Sequence, residues 1–253
     1  MQLPVAGGAL LSEGQRSDDP NFKVQPENNL SAELGYLNQE SELFVIDTSL
    51  YFNRAKNLIQ LTPNRAVTTG DLAAGLGQYS PSTGLFPLFL GGFVNQCQLY
   101  NVYGAEAGVR TFPLEGLDVY ANYTFHLLKQ DNSGCSEAEK ALIVKDDRTS
   151  AHKVNVGVQL RTKPGFDGSV DFHWVASQTW AEQVINLAAQ RIEYQQFPLT
   201  AYMLLNARIG YRFLNDHADA SIMAFNLLGQ EHREHPFGQL MGRRVMGNLA
   251  YRF

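Results

Sequence analysis

Apolar and polar residues alternate one by one through most of this chain, and that period of two restricts its fold more than any other feature. The clearest run is Val154-Asn-Val156-Gly-Val158-Gln-Leu160-Arg161. Phe44, Ile46, Thr48, Leu50 and Phe52 alternate with Val45, Asp47, Ser49 and Tyr51, and Leu117, Val119, Ala121, Tyr123 and Phe125 with Asp118, Tyr120, Asn122 and Thr124. Successive side chains of a strand point to opposite faces, so each run has one greasy and one polar face. Helical periodicity is nearly absent. The rule predicts about nine strands: 30–38, 41–53, 98–112, 117–129, 150–163, 168–182, 200–213, 218–228 and 241–253. The last one runs to the final residue, with Val245, Gly247, Leu249, Tyr251 and Phe253 on its apolar face.

The connections narrow the choice further. Short turn signals at 38–41, 113–116, 164–167 and 214–217 alternate with long segments at 54–97, 130–149, 183–199 and 229–240. In an up-and-down antiparallel sheet, alternate connections lie at opposite ends, so all short turns share one end and all long loops the other. That is the plan of an outer-membrane barrel. The predicted polar faces hold Glu33, Asp47, Glu106, Asp118, His126, Arg161, Asp171, His173, Arg208, Arg244 and Arg252, interspersed with Gly35, Gly108, Gly157 and Gly210. Charges and glycines suit a watery or plugged lumen. The apolar faces would meet lipid, with Tyr36, Phe44, Tyr211, Phe213, Tyr251 and Phe253 forming an aromatic girdle toward the short-turn end. The expected class is an all-β, antiparallel, transmembrane barrel segment. A soluble β-sandwich is the alternative, and it would have to bury its apolar faces against each other.

Composition excludes other classes. Net charge is -5 and no Lys/Arg cluster stands out, which argues against nucleic-acid binding. The longest apolar stretch, Leu85 to Val94, is broken by a proline and two glycines and is too short for a membrane helix. The opening "MQLPVAGGALLSEGQR" has no basic region before its apolar run and makes a poor signal peptide. Nine strands is an odd number, whereas bacterial single-chain barrels have even counts. Either a tenth strand lies near residues 5–11, giving a small porin-like channel, or further strands precede residue 1 and the barrel is incomplete.

A family resemblance rests on four stretches. "PENNLSAELGY" (26–36) followed by "SLYFNRAKNLI" (49–59) resembles the middle-to-late barrel of TonB-dependent receptors. "YGAEAGVRTFPLEGLDVYANYTF" (103–125) is similar to that family's Tyr-Gly-x-Glu hairpin, and "FNLLGQEHREHPFGQLMGRRVMGNLAYRF" (225–253) to its closing hairpin. The resemblance implies that 29–253 are C-terminal barrel strands and 1–28 a remnant of an extracellular loop. It implies a Gram-negative outer membrane, and a parent receptor that imports a scarce ligand of the siderophore-iron, cobalamin or carbohydrate class. Partners would be outer-membrane lipid, the barrel-assembly machinery, the small ligand, and TonB through a plug not found in this chain. No cofactor is implied.

Individual residues follow from this frame. The alternating strand ending at Phe253 resembles the signal read by the assembly machinery, through pairing along an exposed edge. Cys97 and Cys135 are the only cysteines. Pairing Phe112 with Leu117 sets position 97 opposite 132, close enough for a disulfide in an oxidising compartment, worth about 3–4 kcal/mol in the chain-entropy model. Ligand-contacting aromatics are expected on the long loops: Tyr79, Phe86, Phe89, Trp180, Tyr194 and Phe197. No catalytic or metal set is expected. "EHREH" (231–235) lacks the spacing of a metalloprotease helix and reads as a solvated loop. Ser177 and His173 are four residues apart on a rising strand, a poor nucleophile pair.

Overall fold

A computed structural model describes residues 4–5, 9–10, 24–61, 65–73, 75, 86–87, 89–90, 93–141, 143–145, 147–186 and 191–253. Nine long strands form one antiparallel sheet in chain order. They are β1 (Asn28–Asn38), β2 (Phe44–Lys56), β3 (Leu99–Leu114), β4 (Leu117–Asp131), β5 (His152–Arg161), β6 (Phe166–Val175), β9 (Tyr202–Phe213), β10 (Ala218–Phe225) and β11 (Arg244–Tyr251). Between β6 and β9 a separate hairpin, β7 (Gln178–Asn186) with β8 (Arg191–Leu199), stands on the long-loop side. The sheet is open among the described residues, with β1 and β11 as its two edges.

Register shows how completely the two faces separate. Asp47 lies opposite Gly108, Glu106 opposite Thr124, Asn122 opposite Asn155, Gly157 opposite Asp171 and Asp219 opposite Ala250. Residues directly opposite share a face. Following the pairs across the sheet puts Glu33, Asp47, Glu106, Asp118, His126, Arg161, Asp171, His173, Arg208 and Arg244 on one face. Arg252 continues that parity just past β11, where its N–H donates to the His217 carbonyl at 2.8 Å. The other face is a field of Leu, Val, Ile, Ala, Phe and Tyr, and it is exposed: Leu34 is 72% accessible, Ile209 63% and Leu249 76%. Among the described residues no second sheet covers these positions, so they form no two-layer sandwich. On β4 the apolar run extends from Leu117 to Leu127. Ten steps at about 3.4 Å, tilted by about 40°, rise about 26 Å, the height of a membrane barrel's apolar band.

Turn chemistry organises the short-turn end. Gly116 (φ 78°) closes β3–β4 and Gly165 (φ 106°) closes β5–β6. Leu214, Asn215 and Asp216 are all left-handed in the β9–β10 turn. The hairpin at Gly116 corrects one expectation. Thr111 pairs with Val119 and Leu114 with Leu117, with a register shift between them. The Phe112–Leu117 pairing does not form, because Pro113 has no N–H for the ladder and the chain bulges there.

Two further expectations change. The strand predicted over 168–182 ends at Val175 and restarts at Gln178, and the predicted loop 183–199 contains β8. Strict alternation stops at Trp174, where Val175 and Ala176 are apolar and Ser177, Gln178 and Thr179 polar, so the predicted strand runs past its own signal. The stretch considered for a tenth strand, 5–11, lies partly outside the described residues. Its described parts, Pro4–Val5 and Ala9–Leu10, pair with each other and with Phe86–Pro87 in a small sheet of their own.

Candidate functional site

The polar face is built by side chains that lean across neighbouring strands. The ring of Tyr51 lies over Gly104, directly opposite on β3, and a Cβ at Gly104 would fall inside it. Tyr120 covers Gly157 on β5 in the same way. This is an aromatic side chain filling the gap a strand glycine leaves. Each phenol then reaches further: Tyr51 Oη lies 3.3 Å from His126 Nδ1, and Tyr120 donates to the Asp171 carboxylate. Arg110 Nε donates to Asp118 at 2.8 Å, and His173 Nδ1 lies 2.5 Å from Asn155 Oδ1. Arg208 pairs with Asp167 and lies 3.7 Å from Asp219, and Arg212 pairs with Asp216 at 3.0 Å. Toward the short turns Asp118, Asp167, Arg208, Arg212, Asp216 and Asp219, with Arg161 and Arg252, line a recess of about 1020 Å³.

The long-loop end has a different chemistry. Trp180 and Phe197 are cross-strand partners on one face of the β7–β8 hairpin, with Glu182 beside them. The segment after β10 packs onto that face. His235 meets Trp180 edge-on at 4.6 Å and lies 3.9 Å from Glu182, while Phe237 meets Phe197 at 5.1 Å. The Arg148 guanidinium sits 5.1 Å from the Trp180 ring centroid. His232 stacks on Tyr202 at 4.3 Å and is buried, with Nε2 3.5 Å from Glu234. "EHREH" is therefore a docked segment, contrary to the solvated loop the sequence suggested. Among the described residues no set of three His, Cys, Asp or Glu could hold a metal ion.

Of the aromatics singled out from sequence, the structure brings Trp180 and Phe197 together and places Tyr194 on the opposite face of the hairpin, across from Gln183. Phe86 and Phe89 lie in two-residue strands, and Tyr79 lies outside the described residues. Sequence reasoning missed His235, Phe237, Tyr202, Arg148 and Glu182. The short spacing of His232, His235 and Phe237 is the one signal for them. His173 bonds Asn155, while Ser177 is exposed in the β6–β7 connection, so the pair does not form a nucleophile and base.

Three clamps hold the bases of the long loops. Cys97 and Cys135 are disulfide-bonded, with Cα atoms 5.1 Å apart. Near β1 the Asn95 amide donates to the Gln25 carbonyl at 2.8 Å and the Asn57 carbonyl at 2.6 Å, and Glu27 accepts from the Ile59 N–H at 2.7 Å. At the other edge Asn226, left-handed at φ 53° and buried, donates to the Gln230 carbonyl at 2.8 Å.

Comparison with known proteins agrees with this architecture. The model of the TonB dependent receptor-like β-barrel matches residues 6–227. The pyoverdine outer membrane receptor FpvA from Pseudomonas aeruginosa superposes with a TM-score of 0.61 at 13% identity, covering 91% of this chain and 30% of that one. The FrpB iron transporter from Neisseria meningitidis gives 0.62 at 11% identity, covering 96% and 32%. The ferric-catecholate import receptor Fiu from Escherichia coli K12 gives 0.60 at 14%, covering 96% and 30%. Identities this low speak for the fold alone, and the chain spans about a third of each receptor's length. No curated protein matches the chain.

Proposed function

Because the chain belongs to the TonB dependent receptor-like β-barrel family, we propose that it forms wall and outer loops of a receptor that imports an iron chelate across a Gram-negative outer membrane. The observation that carries this reading is the division of the sheet into a charged, hydrogen-bonded face and a wide exposed apolar face. Water disfavours an apolar patch of that extent, and a bilayer favours it. In this reading residues 29–253 are late barrel strands and 1–28 belong to the extracellular side. The polar face lines the lumen, the short turns meet the periplasm, and the long loops meet the ligand.

The chemistry expected of such a protein is capture and release, with no bond made or broken. Trp180, Phe197, His235 and Phe237 offer aromatic surface for a planar chelate, with Arg148 and Glu182 beside it. Tyr194 lies on the other face of the hairpin and does not join that surface. Energy for release comes from TonB through a plug, which these strands do not supply. Val245, Gly247, Leu249, Tyr251 and Phe253 present the strand that the assembly machinery pairs with. The iron-chelate class stands ahead of cobalamin and carbohydrate because the receptors sharing this fold include ones named for pyoverdine, iron and ferric catecholate.

The test is uptake in a Gram-negative host stripped of its own ferric-chelate receptors. A complete receptor carrying these strands should support radio-iron uptake from hydroxamate or catecholate chelates, only when TonB is present, and less so with Trp180→Ala or His235→Ala. Uptake of cobalamin or oligosaccharide instead would move the cargo class. Transport that persists without TonB would overturn the reading in favour of an open channel.

A further inference from the structure

The apolar face carries charge in one corner only. Across all nine strands its formal charges are Arg54, Lys56, Lys129 and Asp131. All four lie at the long-loop end, on β2 and β4, which flank β3. Register sets Arg54, Asn101 and Lys129 abreast, and Lys56, Leu99 and Asp131 abreast in the next row outward. With strands about 4.8 Å apart, the backbones of Arg54 and Lys129 are about 10 Å apart, and one row adds about 7 Å. Side chains of that length are long enough to reach a common headgroup from these positions. The Arg54 charge also acts on Asp131. Asp131 already accepts the Ser133 N–H at 2.9 Å. The corner keeps an excess of positive charge.

Its depth is marked by aromatics. Lys129 Nζ lies 5.7 Å from the centroid of Tyr103, and Tyr103 contacts Phe52 at 5.2 Å. Aromatic rings at the end of an apolar band sit at the level of lipid headgroups. A generally solvated rim would scatter cations over many strands and both ends. Here the short-turn end of the same face has none. We propose that Arg54, Lys56 and Lys129 form a docking site for the phosphate-bearing headgroup of a lipid in the leaflet on the long-loop side. The two rows suit a headgroup with more than one phosphate. The proposal rests on the membrane reading above.

The experiment uses the protein purified from outer membranes in mild detergent and native mass spectrometry of the lipid it retains. A second readout is binding to phosphatidylcholine vesicles doped with a bis-phosphorylated disaccharide lipid, against vesicles of phosphatidylcholine alone. The wild type should hold the phosphorylated lipid, and the triple change R54Q/K56Q/K129Q should weaken it tenfold or more, given how strongly each cation contributes near a charged surface. Lys153→Gln, on the polar face, should leave it unchanged. Equal retention by the triple variant overturns the site, as does displacement of the lipid by inorganic phosphate at matching concentration, which would make it an ion site. Protein recovered only from the soluble fraction overturns the membrane reading and the site together. Protein that is embedded but indifferent to lipid phosphate overturns the site alone.

Discussion

Gly104 and Gly157 are ordinary strand positions by φ, yet neither tolerates a Cβ where its neighbour now lies. Alanine at either would push Tyr51 or Tyr120 off its partner, since the contact is with a ring lying flat on the backbone. Overpacking of this kind costs about 1–3 kcal/mol. Urea unfolding in detergent should show that loss for Gly157→Ala, and Tyr120→Ala in the same chain should recover part of it by vacating the space. Asn226 is a second such residue. Asn226→Ala removes a donor from the Gln230 carbonyl and puts alanine at φ 53°, with an expected loss of about 1–3 kcal/mol. Asn226→Gly, which relieves the backbone but not the hydrogen bond, should fall between. The sequence placed Gly157 and Asp171 on one face correctly, but nothing in it says that a tyrosine lies over the first and donates to the second.

At the scale of elements, the long loops depend on local clamps. The helix Glu137–Lys140 starts with a capping box, in which Ser136 Oγ accepts from the Glu139 N–H and the Glu139 carboxylate accepts from Ser136. Those bonds, the Ser136 hydroxyl first and its N–H second, hold the Glu139 carboxyl below its ordinary value. A lowered acid contributes its stabilisation in full above the unfolded value, and the contribution disappears as pH falls through the folded one. The Ser136 amide should thus be protected from hydrogen exchange at neutral pH and lose protection under acid, and Glu139→Gln should abolish that pH dependence. The Cys97–Cys135 bond works over a longer range. Its loss in Cys97→Ser/Cys135→Ser should destabilise the fold by about 3–4 kcal/mol on the chain-entropy account, read as a lower unfolding midpoint without reductant and no further change with it.

For the whole molecule, the decisive question is which face meets hydrocarbon. Leu34→Arg, in the middle of β1, should cost about 2–4 kcal/mol, Leu249→Arg, in the row of Tyr211 and Phe166 near the short-turn end, less, and Gln159→Arg on the polar face should be close to neutral. Heat-dependent gel mobility of protein folded into vesicles measures this directly. Equal penalties on both faces would contradict a lipid-facing sheet. The same experiment bears on β11, an edge strand of the described sheet on which Leu249 and Tyr251 are exposed.

The nine strands of the main sheet, their order and the segregation of its faces were determined by the sequence alone, because a period of two is local. Val154 to Arg161 declares its two faces whatever it pairs with, and short turns leave consecutive strands no partner but each other. Glu27 and Asn226, both inside the stretches that resemble the receptor family, were visible as patterns, although their clamps on Ile59 and Gln230 were not. What only the tertiary structure decided lies where alternation is blind. The alternation lapses over 175–179, but a lapse does not say where the chain goes next, so only pairing distinguishes a strand of the wall from the β7–β8 hairpin. The docking of His232, His235 and Phe237 joins segments some fifty residues apart, from Trp180 to Phe237, and no local signal encodes a contact across that distance. The charged corner at Arg54 and Lys129 emerges for the same reason: each looks like one more polar residue at a strand end until register sets them abreast on a face that carries no other cation but Lys56.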